Sequence, residues 1–74
     1  MKKTAICKNH QYTDGKGNIR IVIAEGSQYM LYPGQSETDN IRYRVQMRGK
    51  RGLSVGTEGN QTRASFAQWA KKEA

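Results

Sequence analysis

Cysteine is almost missing from this chain. Cys7 stands alone among 74 residues, so no intramolecular disulfide can brace the fold. That usage fits a reducing, cytoplasmic setting. Histidine and acids are sparse as well. Acid–base catalysis needs two such groups held at a working distance. The only histidine, His10, has no acid near it in sequence, and Asp14, Glu25, Glu37, Asp39, Glu58 and Glu73 show no spacing that pairs them. Cys7 would serve as a nucleophile only with a base against it in space. So short a chain has little room for a water-excluding pocket, and the sequence reads as a non-enzyme. The C-x-x-H spacing of Cys7 and His10 is half a metal site. A structural zinc takes four ligands, and no second cysteine or histidine exists to complete the set. Neither a metal nor a cofactor is expected.

Long apolar runs are also lacking. Met1-Lys2-Lys3-Thr4-Ala5-Ile6 opens like a secretory signal, yet Cys7-Lys8-Asn9-His10 stands where an apolar stretch should follow. No segment approaches the roughly 20 apolar residues that span a bilayer. The expectation is a soluble, cytoplasmic protein with no membrane partner. Its length sets a single domain, 1–74. A chain of this size buries only about 60 % of the surface that its unfolded form exposes, so its stability is marginal. Pairing of strand edges between copies, giving a homo-oligomer, is one way to add to it.

Positive charge is what the chain has in excess. Thirteen Lys and Arg against six Asp and Glu give a net charge of +7 and a pI near 9.9. In so small a body that charge concentrates polyanions, of which nucleic acid is the commonest in a cell. The charge is concentrated at one place. In Ile41-Arg42-Tyr43-Arg44-Val45-Gln46-Met47-Arg48, apolar residues alternate with basic or polar ones. A strand sends successive side chains to opposite faces, so this run buries one row and displays guanidinium groups on the other. It runs into Gly49-Lys50-Arg51-Gly52, a basic turn, and no acid lies between Asp39 and Glu58.

Periodicity places the remaining elements. Strands are expected over roughly 6–13, 19–24, 28–32, 41–48 and 53–55, and a helix over roughly 62–72. Ile6 and Tyr12 anchor the first strand. Asp14-Gly15-Lys16-Gly17-Asn18 is a tight turn whose glycines accept positive φ. Glycine-rich turns that cradle phosphate open a helix, whereas this one precedes a strand, so it reads as a hairpin. In Ile19-Arg20-Ile21-Val22-Ile23-Ala24 the three isoleucines share a face, taken as core, which sends Arg20 outward. Gln28-Tyr29-Met30-Leu31-Tyr32 is apolar on both faces, and Pro33 stops it for want of a donor N–H. Leu53 and Val55 share a face of the last strand. From Gln61 the period lengthens to about 3.6. Thr62 suits the N-cap, Lys71 and Lys72 suit the last turn, and Phe66 and Trp69 must dock on the sheet as core.

The expected fold is mainly β, α+β, with four to five antiparallel strands and one C-terminal helix. Two arrangements satisfy it. One is a small SH3-like barrel closed by the helix, which leaves fewer open edges, and the other is an open sheet with the helix across one face. The candidate nucleic-acid-binding residues are Arg20, Arg42, Arg44, Arg48, Lys50 and Arg51, with Tyr29 (or Tyr12) as a platform for an unpaired base. Arginine presents a planar fork of donors that matches phosphate oxygens in pairs. The competing reading is a solvated sheet face on which cations are ordinary.

The order Gln11-Tyr12-Thr13-Asp14, a glycine turn, Ile19-Arg20-Ile21-Val22, Ile41-Arg42-Tyr43-Arg44-Val45 and a closing Ser65-Phe66-Ala67-Gln68-Trp69-Ala70 resembles small β-rich proteins of phage, prophage and plasmid origin. The resemblance implies a mobile-element protein acting on host nucleic acid or on a host protein. It transfers no site residues. The expected function is phosphate-contacting binding of DNA or RNA with little sequence preference. The alternative is a module that captures an acidic host protein, with Tyr29, Leu31 or Tyr32 supplying apolar contact.

Overall fold

The computed structural model describes all 74 residues. Five strands and one helix follow in chain order: β1 (Gln11–Thr13), β2 (Ile19–Glu25), β3 (Asn40–Met47), β4 (Glu58–Thr62), α1 (Arg63–Trp69) and β5 (Lys72–Glu73). The strands form one open antiparallel sheet in the order β4-β3-β2-β1-β5. Of the two expected arrangements, the open sheet with one helix is the one adopted. Because β4 and β5 lie at opposite edges and α1 joins them, the helix carries the chain across one face of the sheet. That crossing decides which side of every strand is core.

Phe66 is the centre of that core. It is fully buried, with its ring 5.6 Å from that of Tyr12 (edge-on), 6.2 Å from Tyr43 and 5.2 Å from Trp69. Ile6, Val22, Ile41, Val45, Ala67 and Ala70 complete it. In β3 the alternation behaves as expected over Ile41, Tyr43 and Val45, all buried, while Met47 at the strand's end is exposed. The Tyr12 hydroxyl donates to the Ala5 carbonyl (2.8 Å) and accepts from the Cys7 amide (2.7 Å), tying the N-terminal segment down. Burial pushes the Tyr12 phenol above its usual range.

Thr62 caps α1 as its sequence position suggests, its Oγ1 accepting from the Ser65 amide at 3.1 Å. The helix is shorter than its period implies. It ends at Trp69, because Lys72 and Glu73 pair with Thr13 and Tyr12 at the free edge of β1. Lys71 and Lys72 therefore occupy no helical turn. Two expected strands do not form. Ser27–Tyr29 is a 3₁₀ turn followed by an irregular segment in which Leu31 and Tyr32 are exposed, and residues 53–55 lie in an exposed loop. The first touches the β4 edge only through the Asn60 side chain, whose Nδ2 donates to the Met30 carbonyl (3.5 Å), and adds no strand to it. The first strand is confined to 11–13, since Asn9 adopts a left-handed φ of 69° that turns the chain ahead of it.

β4 is the element that composition hides. Glu58-Gly59-Asn60 favours turns, yet it pairs with β3 in register from Arg44↔Glu58 to Asn40↔Thr62. Gly59 has a steric reason for being there. A Cβ on it would lie 2.8 Å from the Tyr43 hydroxyl, so only glycine lets β4 close against that ring.

The face of β2 is the reverse of the expected one. Val22 pairs with Tyr43 and Arg20 with Val45, and directly paired residues share a face. Val22 is fully buried, and the three isoleucines are only half-buried. The helix position made the difference: α1 docks on the side of Tyr43 and Val45, and the pairing register puts Val22 there.

Candidate functional site

Two turns meet at one end of the sheet. Residues 14–18 join β1 to β2, and residues 48–52 follow β3. Asn18 joins them. Its side chain is buried, and its Nδ2 donates to Asp14 Oδ2 (2.9 Å) and to the Arg51 carbonyl (3.1 Å), while its Oδ1 accepts from the Gly49 amide (2.9 Å). A buried carboxamide engaged on both its nitrogen and its oxygen holds one geometry. The backbones approach so closely that a Cβ on Gly49 would fall 2.1 Å from the Lys16 carbonyl oxygen. Glycine at 49 is the condition for this contact.

The joint brings together cations far apart in sequence. Lys16 from the first turn and Lys50 and Arg51 from the second line a depression of about 300 Å³, with no other residue in its wall. All three are exposed, as is Arg48 beside them in the chain. The ion pairs of the chain join Lys3 to Asp39, Arg42 and Arg44 to Glu58, and Arg63 to Glu25 and Asp39, while the His10 ring is hydrogen-bonded to Glu73 through Nδ1. Lys16, Arg48, Lys50 and Arg51 have no acid within ion-pair distance. The nearest acid in sequence, Asp14, is turned into its own turn. Burial works against its charged form, but the Asn18 side chain and the amides of Lys16 and Asn18 outweigh that and hold its carboxyl below the usual range.

The sheet-face arginines are placed differently. Arg42 and Arg44 stand on the face opposite the helix, as expected from alternation with Tyr43. β4 sets an acid beside them. Arg42 donates from Nε to Glu58 Oε1 (3.2 Å) and from Nη1 to Asn60 Oδ1 (2.8 Å), and Arg44 Nη1 lies 4.0 Å from Glu58 Oε2. Their charge is partly compensated within the protein. Arg20 does not join them, and its expected outward direction is corrected here. It shares the helix side with Val45 and Tyr12, and its guanidinium carbon sits 4.3 Å from the Trp69 ring centroid and 4.7 Å from that of Tyr43. Two aromatic faces offset what a cation costs at a half-buried position. Tyr29 is likewise off the sheet face, half-buried at the end of its 3₁₀ turn.

Of the sequence candidates, then, the structure gathers Lys50 and Arg51, keeps Arg48 in the same turn, sets Arg42 and Arg44 against Glu58, and removes Arg20 and Tyr29. Lys16 was not among them. Its turn reads as a plain hairpin, and the only hint of a second role is that both turns are flanked by glycines. No group of three or more His, Cys, Asp or Glu side chains converges anywhere in the chain. No helix is long and apolar enough to cross a membrane. No protein-family model matches the sequence, and neither curated proteins nor solved structures yield a match.

Proposed function

We propose that this chain is a non-enzymatic nucleic-acid-binding domain that contacts phosphates through the paired turns, with Lys16, Arg48, Lys50 and Arg51 as the principal contacts. One observation carries the reading: cations from two turns converge on a rigid joint with no acid paired to them. Phosphate oxygens are the acceptors such groups lack, and the chain's net charge of +7 draws a polyanion toward them. Arg42 and Arg44 extend the surface but exchange Glu58 for phosphate when they engage, so they add less. Binding without base readout follows, because no helix is presented for a groove. The likeness to phage and plasmid proteins fits a cytoplasmic factor acting on host DNA or RNA.

Fluorescence anisotropy with duplex DNA, single-stranded DNA and RNA over a salt series tests this. If four cations engage B-DNA, log affinity falls with log salt at a slope of about −3.6. Replacing Lys16, Lys50 and Arg51 together by Gln flattens that slope by about 2.7. Wild-type binding that ignores salt, or a triple variant that binds like wild type, refutes the proposal.

A second reading, capture of an acidic host protein, is favoured by one observation. Leu31 and Tyr32 are 52 % and 60 % exposed, and an apolar pair of this kind anchors protein contacts. Under the nucleic-acid reading, replacing both by Ser leaves affinity for DNA and RNA unchanged.

A further inference from the structure

The sheet ends differently at its two edges. β5 is two residues long and carries Lys72, and short length and lysine both discourage pairing with another chain. β4 has neither protection, since it runs for five residues with no proline and no cation. Its ends fix which way its backbone groups point. Val45 donates its amide to the Thr57 carbonyl (2.9 Å), and Arg63 donates its amide to the Asp39 carbonyl (2.8 Å). Both contacts extend the register that sets Tyr43 opposite Gly59 and Ile41 opposite Gln61. Alternate residues of an antiparallel strand bond to opposite neighbours. Gly59 and Gln61 therefore bond to β3, while Glu58 and Asn60 turn their N–H and C=O groups outward. The phase is the same on the far side of β3, where the Asn40 carbonyl accepts from the Gly26 amide (3.0 Å) just past β2. The four outward groups meet no backbone partner in the chain.

Those groups are complementary to their own copy. When two β4 strands run antiparallel about Gly59, Glu58 of each copy lies opposite Asn60 of the other, and every outward group of both is bonded. No like charges come opposite one another, because Glu58 is the only charged residue of β4. The two Gly59 residues meet at the non-bonded position, where Cα atoms approach to about 4.5 Å and glycine adds no bulk. A two-fold axis normal to the sheet keeps both helices on one face. The segments that expose Leu31 and Tyr32 then share the other face. Each touches the edge beside the axis, where Asn60 Nδ2 donates to the Met30 carbonyl (3.5 Å). An extended segment of a different protein would have to be ordered as it bound, whereas a second β4 is already held straight by its own β3. We propose that β4 pairs with β4 of a second copy, joining two five-stranded sheets into one across an isologous dimer.

This pairing needs no nucleic acid, so nuclease-treated protein tests it, in salt of about 0.3 M to screen the repulsion between two copies of charge +7. Sedimentation equilibrium from about 5 μM to about 1 mM should show the mass rising from 8.4 kDa toward twice that value. The midpoint is expected near about 100 μM, as suits a small interface. Amide hydrogen exchange locates the contact. Glu58 and Asn60 should exchange at least about threefold more slowly at the high concentration than at the low one, while Gly59 and Gln61 stay unchanged. Asn60→Pro removes one outward N–H and spares the bonds to β3, so it should remain at 8.4 kDa throughout. Its melting temperature at the low concentration shows whether its fold persists, and the exchange data on the unaltered chain decide the matter if it does not. A chain that stays monomeric to about 1 mM overturns the proposal, as does a dimer in which Glu58 and Asn60 gain no protection. A folded Asn60→Pro that dimerises like the unaltered chain overturns it too. Protection of those two amides that appears only when cell extract is added overturns the second copy as occupant, in favour of a segment of another protein.

Discussion

Two cationic regions of this protein differ in what they keep free. On the sheet face, Arg42 and Arg44 occupy a regular strand and look, in sequence, like an uninterrupted basic stripe. β4 lays Glu58 directly opposite Arg44 and Asn60 opposite Arg42, and the stripe acquires its counter-ion from the next strand. At the turn end, Lys16 and the pair Lys50 and Arg51 come from separate turns, and the one acid nearby is spent on amides. A run of cations without a local acid therefore does not identify the free charge. Strand pairing supplies partners that sequence distance conceals, and turn packing assembles clusters that it disperses.

The contrast can be broken most severely at Asn18. Asn18→Ala removes the buried link between the turns and leaves the Gly49 amide and the Arg51 carbonyl without it. The expected cost is about 2–4 kcal/mol, a fall in melting temperature of about 10–20 °C for a domain of this size. Nucleic-acid affinity should drop with it, since Lys16 no longer faces Lys50 and Arg51. A variant that melts early yet binds as before would show that the turn pair is not the binding region.

Charge removals sharpen the comparison next. Lys50→Gln with Arg51→Gln should lower affinity at least about threefold more than Arg42→Gln with Arg44→Gln, because the latter pair is already shared with Glu58. Equal losses would restore the sheet face to equal rank. Anisotropy at a single moderate salt concentration decides between them.

Acid titration separates the regions by stability. The Asp14 carboxyl is held below its usual range, mainly by Asn18 and the amides of its turn, against the opposing effect of burial. A carboxyl with a depressed folded value contributes stability above its unfolded pKa, about 3.9, and loses it as pH falls through the folded value. Melting temperature should therefore decline as the pH drops below about 4, and less steeply in Asp14→Asn. Asp39 behaves in the same sense at the opposite end of the molecule, where hydrogen bonds from Arg63, and then Lys3, outweigh its burial. Asp39→Asn should flatten the same limb without altering nucleic-acid affinity.

The smallest effect is expected from Glu58→Gln. Surface ion pairs of this exposure contribute about 0–1 kcal/mol, so the melting temperature should hardly move. Freed of their shared acid, Arg42 and Arg44 should steepen the salt slope by up to about 1.8. An unchanged slope would mean that the sheet face takes no part in binding.

Much of this architecture is legible without coordinates where a local rule acts alone. The alternation of Ile41, Tyr43 and Val45 marks a half-buried strand, Thr62 marks a helix start, and Asp14-Gly15-Lys16-Gly17-Asn18 marks a reversal. The rest depends on neighbours. Gly59 argues against a strand until Tyr43 stands across from it. Lys72 and Glu73 complete a helical pattern until the edge of β1 offers them partners. Tyr29 to Tyr32 has strand composition, yet Ser27–Tyr29 winds into a 3₁₀ turn and the segment pairs with no strand. Arg20 follows the same logic, since its direction was fixed by which face the helix covered and by two rings able to receive a cation.

From the chain alone come the excess of positive charge, the mainly antiparallel β fold with its one helix, and the basic run from Arg42 to Arg51. These arise from composition and from periods of two and 3.6, which are properties of neighbouring residues. Which of those cations remain unpaired, and which meet one another, was decided only when β4 closed on β3 and the two turns locked through Asn18. Electrostatic partnership falls off with distance in space, and folding sets that distance without regard to position along the chain.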